Sequence, residues 1–431
     1  MPAQIAASEA HPAWRSAGHW LPRLWAWAAV LALAVNLRTT VASASPLVAD
    51  IRLDLRASGA ELGFLTALPV LCMAWLAPAA HRLVHRFGPE RAVLVASAAV
   101  GVGNGLRLAG THLPALLAAT FVAGAGVAVA GVALPALVRA LFPNYVGRAT
   151  GAYTVAMMLG AAAASAASVP LRDLFGSWPR SLGAWGLPAA VATVLWLGGG
   201  RVVDRSRSGN LGRSPRSHPG RPPGPPGDVR STGPRRPRRG LPWRSPAART
   251  IAVFLSLQSM LAYAYLGWLP PLLQGQGVGD QAAGALLGAH NLAQLVAAVA
   301  LPALADRVHD VRRLVLAAVS LTVVGAVWMA ALPGLLPWVG VSVLGLGLGG
   351  GFSLGLVAAT SYAADPAAAS RVVAMVFTVC YTAAAAAPVL VGVLHDVTGG
   401  FRLPFSLLVL LAAGQWSVAF RLQPHWRGSI H

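Results

Sequence analysis

The sequence predicts an all-α membrane protein of twelve transmembrane helices, arranged as two pseudo-symmetric six-helix halves. Three observations lead there. Of the 431 residues, 56% are hydrophobic and only 11% charged, too little charge to cover a soluble protein of this length. The apolar residues form runs of about twenty, broken by short charged or Gly/Pro segments; a helical run of that length spans the roughly 30 Å hydrocarbon core with its backbone bonds satisfied internally. Matching residues also recur at a near-constant offset in the two halves of the chain.

Spans are predicted near 24–46, 60–80, 91–110, 114–138, 149–171 and 181–200, and again near 248–270, 281–305, 313–332, 335–362, 371–394 and 403–421. The 335–362 segment is long enough to need tilt. Residues 1–23 read as a polar tail, 24–200 and 248–421 as the two halves, and 422–431 as a second tail. No cleavable leader is expected, since the first apolar run lacks a small-residue cleavage site. Between the halves lies 201–247, a Pro/Gly/Ser/Arg tract that buries no apolar surface and reads as a disordered linker. Cys72 and Cys380 fall in different spans and read as apolar packing residues, with no disulfide or metal site implied.

The formal net charge of +20 could point to nucleic acid, so its location decides. All 33 basic residues are arginine. With both termini in the cytoplasm, 26 face the cytoplasm, five the other side (Arg52, Arg56, Arg172, Arg180, Arg402), and two (Arg38, Arg107) lie within spans. This is the positive-inside bias of a multi-pass plasma-membrane protein. The linker arginines suit anionic lipid headgroups, whereas a nucleic-acid surface would need interleaved aromatics.

Repeats order the halves. Arg148 and Arg371 lie 223 residues apart, as do the segments 171–176 (LRDLFG) and 394–399 (LHDVTG). Pro78 matches Pro302 and Arg91 matches Arg313, at offsets of 224 and 222. Agreement among the three argues for duplication about an axis along the membrane normal, with a substrate site at midplane between the halves.

Arg38 is the sharpest functional signal. It sits near the middle of the first span, where a charge costs about 2.5–3.5 kcal/mol on insertion scales, and no Asp or Glu lies deep in any span to pair with it. A guanidinium there suits a carboxylate, a delocalised small anion or a nitro group; bonding to backbone carbonyls is the structural alternative. Asn36 points about 200° away from Arg38, so only one of the two faces the cavity squarely. Arg107 lies near the outer end of the third span, where a long basic side chain snorkels to the interface by default. On the seventh span Gln258 and Tyr265 share a face, with Tyr263 on the adjacent one, and Trp268 lies just before Pro270-Pro271, read as the helix end and part of an outer gate. On the eleventh, Thr378, Tyr381 and Thr382 align; for each tyrosine, packing and solute contact stay open. His290 alone among the histidines falls near the middle of a span. It reads either as a proton carrier or as a neutral group bonded to a neighbouring helix. Trp20, Trp25, Trp178, Trp196, Trp243 and Trp416 fall near span ends as interfacial anchors.

Several of these segments resemble the cyanate and 2-nitroimidazole transporter family within the major facilitator superfamily. The first span carries Asn36-Leu37-Arg38 followed by Pro46. The second ends in TALPVLCMAWLAP and leads into Arg86-Phe87-Gly88-Pro89-Glu90-Arg91. The seventh reads LQSMLAYAYLGWLPP, the most specific match, the eighth ends in LPALADR and the eleventh in GVLHDVTG. The resemblance covers nearly everything but the N-terminal tail and the linker. It implies secondary transport of a small solute by alternating access in a monomer without cofactor or metal. It implies that Arg86, Gly88, Arg91, Asp306 and Arg307 belong to conformational-switch loops, and it keeps a gating or entry role open for Arg107, where the family also has arginine. Three positions depart from the pattern: Thr39 for proline, Gly131 for asparagine, and His290 for an apolar or aromatic residue.

Enzyme chemistry is argued against by what the spans lack: paired carboxylates, a metal-ligand cluster or a nucleophile–base pair at membrane depth. The run GLGLGGGFSLG imitates a phosphate loop, yet no strand precedes it and the chain has no lysine; close helix packing explains it. An exporter of hydrophobic drugs is the rival within transport, and an arginine in the cavity speaks against it.

Overall fold

The computed structural model describes residues 20–211, 241–305, 307, 308, 310–422, 426 and 428–430. The first half comprises α1 (Trp20–Ala42), a 3-10 turn (Ser45–Leu47), α2 (Val48–Leu55), α3 (Gly59–Trp75), α4 (Ala77–Leu106), a second 3-10 turn (Arg107–Ala109), α5 (Leu113–Leu141), α6 (Val146–Phe175), α7 (Trp178–Ala184) and α8 (Gly186–Leu211). The second comprises α9 (Pro246–Gln274), α10 (Asp280–Ala305), α11 (Val311–Ala331), α12 (Pro337–Ser361), α13 (Pro366–Thr398) and α14 (Arg402–Ala419). Among the described residues, eleven segments are long and apolar enough to cross a bilayer; α3 and the start of α4, bent by 54°, make the twelfth.

Local chemistry sets the ends. A capping box between Ser58 and Glu61 starts α3, and side-chain caps from Ser245 and Asp365 start α9 and α13. Gly176 and Gly399, at the same 223-residue offset, terminate α6 and α13 with φ of 64° and 67°. The repeat read in the sequence is therefore a repeat of backbone conformation.

Three boundaries differ from expectation, and one tail is held in place. The first span breaks after Ala42, because Pro46 has no N–H to offer the Ala42 carbonyl. Helix α8 continues to Leu211, into the stretch assigned to the linker, since RVVDRSRSGNL contains no proline and a helix leaving the apolar layer keeps its backbone bonds; residues 212–240 lie outside those described. Helix α9 runs through Pro270-Pro271 instead of ending there. In the 422–431 tail, the Ile430 N–H donates to the Tyr362 carbonyl at 3.0 Å, tying the segment to the end of α12.

The halves meet through two seams, α3 on α13 and α6 on α10. Each uses glycines four apart: Gly59 and Gly63 on α3, Gly284 and Gly288 on α10, at an offset of 225. A Cβ on Gly284 would lie 2.7 Å from the Ser165 carbonyl oxygen, and one on Gly63 would collide with that of Pro388. Backbone approach this close needs glycine.

Both seams belong to the end of the bundle opposite the one that carries Trp20 and Leu422. At this far end, the Gly59 and Ala60 N–H groups donate to Asp396 at 2.8 and 3.0 Å. Arg172 pairs with Asp50 at 2.7 Å and with Asp280, across the halves, at 3.0 Å. Arg52 pairs with Asp396 at 3.7 Å. The Ser45 hydroxyl donates to the Gly267 carbonyl at 2.9 Å, which is free because Pro271 has no N–H to reach it. Gln274 donates to the Pro46 carbonyl at 3.2 Å. The far end is sealed, so the half-exposed groups between the halves face the termini end.

Candidate functional site

Arg38 on α1 is partly exposed and meets helices of both halves. Its Nη1 lies 3.6 Å from the Met158 sulfur of α6, and its guanidinium carbon stands 5.9 Å from the centroid of the Tyr263 ring on α9. Tyr381 of α13 also lies within electrostatic range of the cation, and Tyr153 of α6 lies near Tyr381. Four helices from both halves thus bring one guanidinium, three phenols and a thioether together. Among the described residues, no carboxylate pairs with Arg38. The planar fork and adjacent aromatic face can hold a flat anion by paired hydrogen bonds and stacking.

Other candidates turn elsewhere. Asn36 is fully buried on the opposite stripe, donating to the Ala32 carbonyl at 2.7 Å, and the Thr40 hydroxyl on that stripe donates to Asn104 of α4 at 3.4 Å. Gln258 does not reach the cavity: it donates to the Leu348 carbonyl and accepts from Gln415, both within the second half. Tyr265 faces inward too, fully buried edge-on to Phe405 at 5.6 Å. A helical face read from one helix does not say which neighbour it meets, and here that face meets α12 and α14.

Trp268 belongs to the far-end seal, donating to the Pro388 carbonyl at 2.8 Å and stacked on His395. His290 is fully buried within the second half. Its Nδ1 lies 3.0 Å from the Val341 carbonyl, which only accepts, so Nδ1 carries the hydrogen. Nε2 then accepts from the Gln294 amide at 2.8 Å. Both nitrogens of the neutral ring are occupied, which is the helix-bonding alternative in geometric form. Arg107 does not snorkel: at 1% exposure it donates to the Thr40 carbonyl at 3.0 Å and the Thr120 hydroxyl at 3.1 Å.

At the termini end, Gly88 (φ 83°) makes the kink within α4 between exposed Arg86 and Arg91. Arg307 is exposed after α10, and Asp306 lies outside the described residues. Trp178 and Trp196 are buried, not interfacial; Trp178 donates to Asp54 at 2.6 Å.

A family model described as Major Facilitator Superfamily matches residues 28–388. The chain belongs to the Major Facilitator Superfamily. It is a multi-pass transporter of small solutes and not an enzyme. Among characterised major facilitator proteins, the 2-nitroimidazole transporter of Escherichia coli (strain K12) is 32% identical over 387 residues, covering 89% of this chain and 92% of its own. The cyanate transport protein CynX of the same strain is 27% identical over 396 residues, covering 91% and 95%. The solved D-xylose–proton symporter superposes with a TM-score of 0.70 at 14% identity, covering 96% of this chain and 100% of that one, a likeness of fold alone.

Tyr153 and Met158 escaped the sequence reading because nothing on α6 alone marks its cavity face. The paired glycines of the seams were findable, through an offset of 225 that lies within three residues of those of the other repeats. At Gly131 an added Cβ would meet nothing within 4 Å, so the departure from asparagine leaves open space beside α5.

Proposed function

We propose that the protein docks a small anion, or a planar polar solute such as a nitroheterocycle, on Arg38 and carries it across the plasma membrane by alternating access. The observation that supports this reading is the guanidinium between the halves, uncompensated by any carboxylate among the described residues and flanked by Tyr263 and Tyr381. A charge kept at membrane depth without a partner marks a solute pathway. Cyanate is a small anion and 2-nitroimidazole a planar solute with a nitro group, so the names of both relatives fit one guanidinium site. Purified protein in liposomes should exchange at least one labelled small planar anion or nitroheterocycle across the bilayer. Flux no faster than in empty liposomes for the whole panel would end the reading.

The arginine distribution supports cytoplasmic termini, and the sealed far end is then extracellular and the cavity inward-facing. The linker arginines then lie against anionic headgroups of the inner leaflet. Cysteines introduced at Ser214 and Ser231 should resist impermeant thiol reagents in intact cells; native Cys72 and Cys380 are buried and do not interfere. Ready labelling from outside would reverse the orientation.

A further inference from the structure

The first helix breaks only four residues beyond Arg38, and the break has an unusual keeper. The Ala44 N–H, which in a continuing helix would reach back to Thr40, bonds instead to the Val41 carbonyl at 3.3 Å. Thr40 is left with a free carbonyl inside the protein, which Arg107 takes at 3.0 Å. Its second terminal nitrogen is fixed by the Thr120 hydroxyl of α5 at 3.1 Å. A guanidinium at 1% exposure without a carboxylate carries a heavy desolvation cost. Ordinary packing does not need a cation there, because an apolar side chain of the same length would fill the space more cheaply.

What lies beyond the break gives the charge its use. Residues 45–55 carry a large share of the far-end contacts: Ser45 to Gly267, Pro46 to Gln274, Asp50 to Arg172, and Arg52 to Asp396. Residues just before the break carry Arg38 and its contact with Tyr263. The guanidinium therefore sits where solute site and gate segment join. Bonds to the Thr40 carbonyl and to α5 fix the angle between them.

We propose that Arg107 is a positioning residue for transport: it holds the break in α1 and so sets the placement of the gate segment 45–55. Pro46 forces a break, and Arg107 sets its angle: without the guanidinium the Thr40 carbonyl is satisfied only if the Ala44 N–H turns back to it, which carries the gate residues away from their partners.

The test needs no substrate, so its outcome stands apart from the reading of Arg38. In protein with Cys72 and Cys380 replaced by alanine, spin labels are placed at Leu53 on α2 and at Leu174 on α6, which are 79% and 75% exposed. A second pair joins Leu53 to Val397 of α13, itself 79% exposed. Arg107→Met, similar in length and without donors, should lose the single narrow distance of the parent at both pairs. Arg107→Lys, which keeps one donor for the Thr40 carbonyl, should restore most of it. Thr120→Val removes only the second anchor; it should broaden both distances and serves if the methionine variant does not fold. Lower thermal stability with both distributions unchanged, in whichever of these variants folds, would show that Arg107 is merely structural and overturn the proposal.

Discussion

Gly63→Val is expected to abolish transport while leaving the protein folded and inserted. Gly63 lies on α3 where it crosses α13, and a Cβ there would collide with the Pro388 carbonyl oxygen and come within 2.8 Å of the Val389 Cα. Both obstacles are backbone, so no side chain can swing aside. Overpacking of this kind costs about 1–3 kcal/mol or more, all of it borne by the far-end-closed state, which shifts its population by roughly fivefold to 150-fold or more. Valine does not harm α3 itself, where glycine is the poorer helix former. A cysteine at Thr66, buried in the closed seam, should then react with thiol reagents in the Gly63→Val protein and stay protected in the parent. Unimpaired transport by the variant would show that the seam yields and is not a closed-state contact of consequence.

Arg38→Ala should weaken solute binding by roughly 30-fold to several thousand-fold, the usual cost of truncating one partner of a desolvated, hydrogen-bonded charge pair. Its contacts with Met158 and Tyr263 are weak ones, so the fold should survive their loss. Arg38→Lys should recover part of the affinity, because a point charge replaces a planar fork and gives up the paired geometry. A lysine variant equal to the parent would make the site a plain electrostatic one.

How far the sequence could be read followed from where each constraint lives. Helix number, the two halves and their repeat are written in apolar runs and recurring positions, so Gly176 and Gly399 cap corresponding helices as the offset implies. The break in α1 was signalled by Pro46 and passed over, because one apolar run covers both of its sides. The two faces of α1 were legible in the sequence, with Asn36 on one and Arg38 on the other. Which face met the cavity was not, since that depends on the helices around it. For the same reason Gln258 and Tyr265, which share one helical face, could not be placed from the sequence, and only the positions of α12 and α14 show Gln258 hydrogen-bonded and the Tyr265 ring packed within their own half. Arg107 misled in the opposite sense. Nearness to a span end predicts snorkelling, but Thr40 and Thr120, distant in sequence, supply acceptors that hold it inside.

The most direct test of Arg38 as the docking group is ligand-dependent thermal stability, measured side by side on the purified parent and Arg38→Ala proteins. A panel of small planar anions and nitroheterocycles, cyanate and 2-nitroimidazole among them, supplies the probes. A compound that binds only the folded state stabilises it by about 2.7 kcal/mol at a hundredfold excess over its Kd. At least one member should raise the melting temperature of the parent and leave that of Arg38→Ala unchanged at the same concentration. Equal stabilisation of both proteins, or of neither by any member, would contradict the assignment of Arg38 as the docking group.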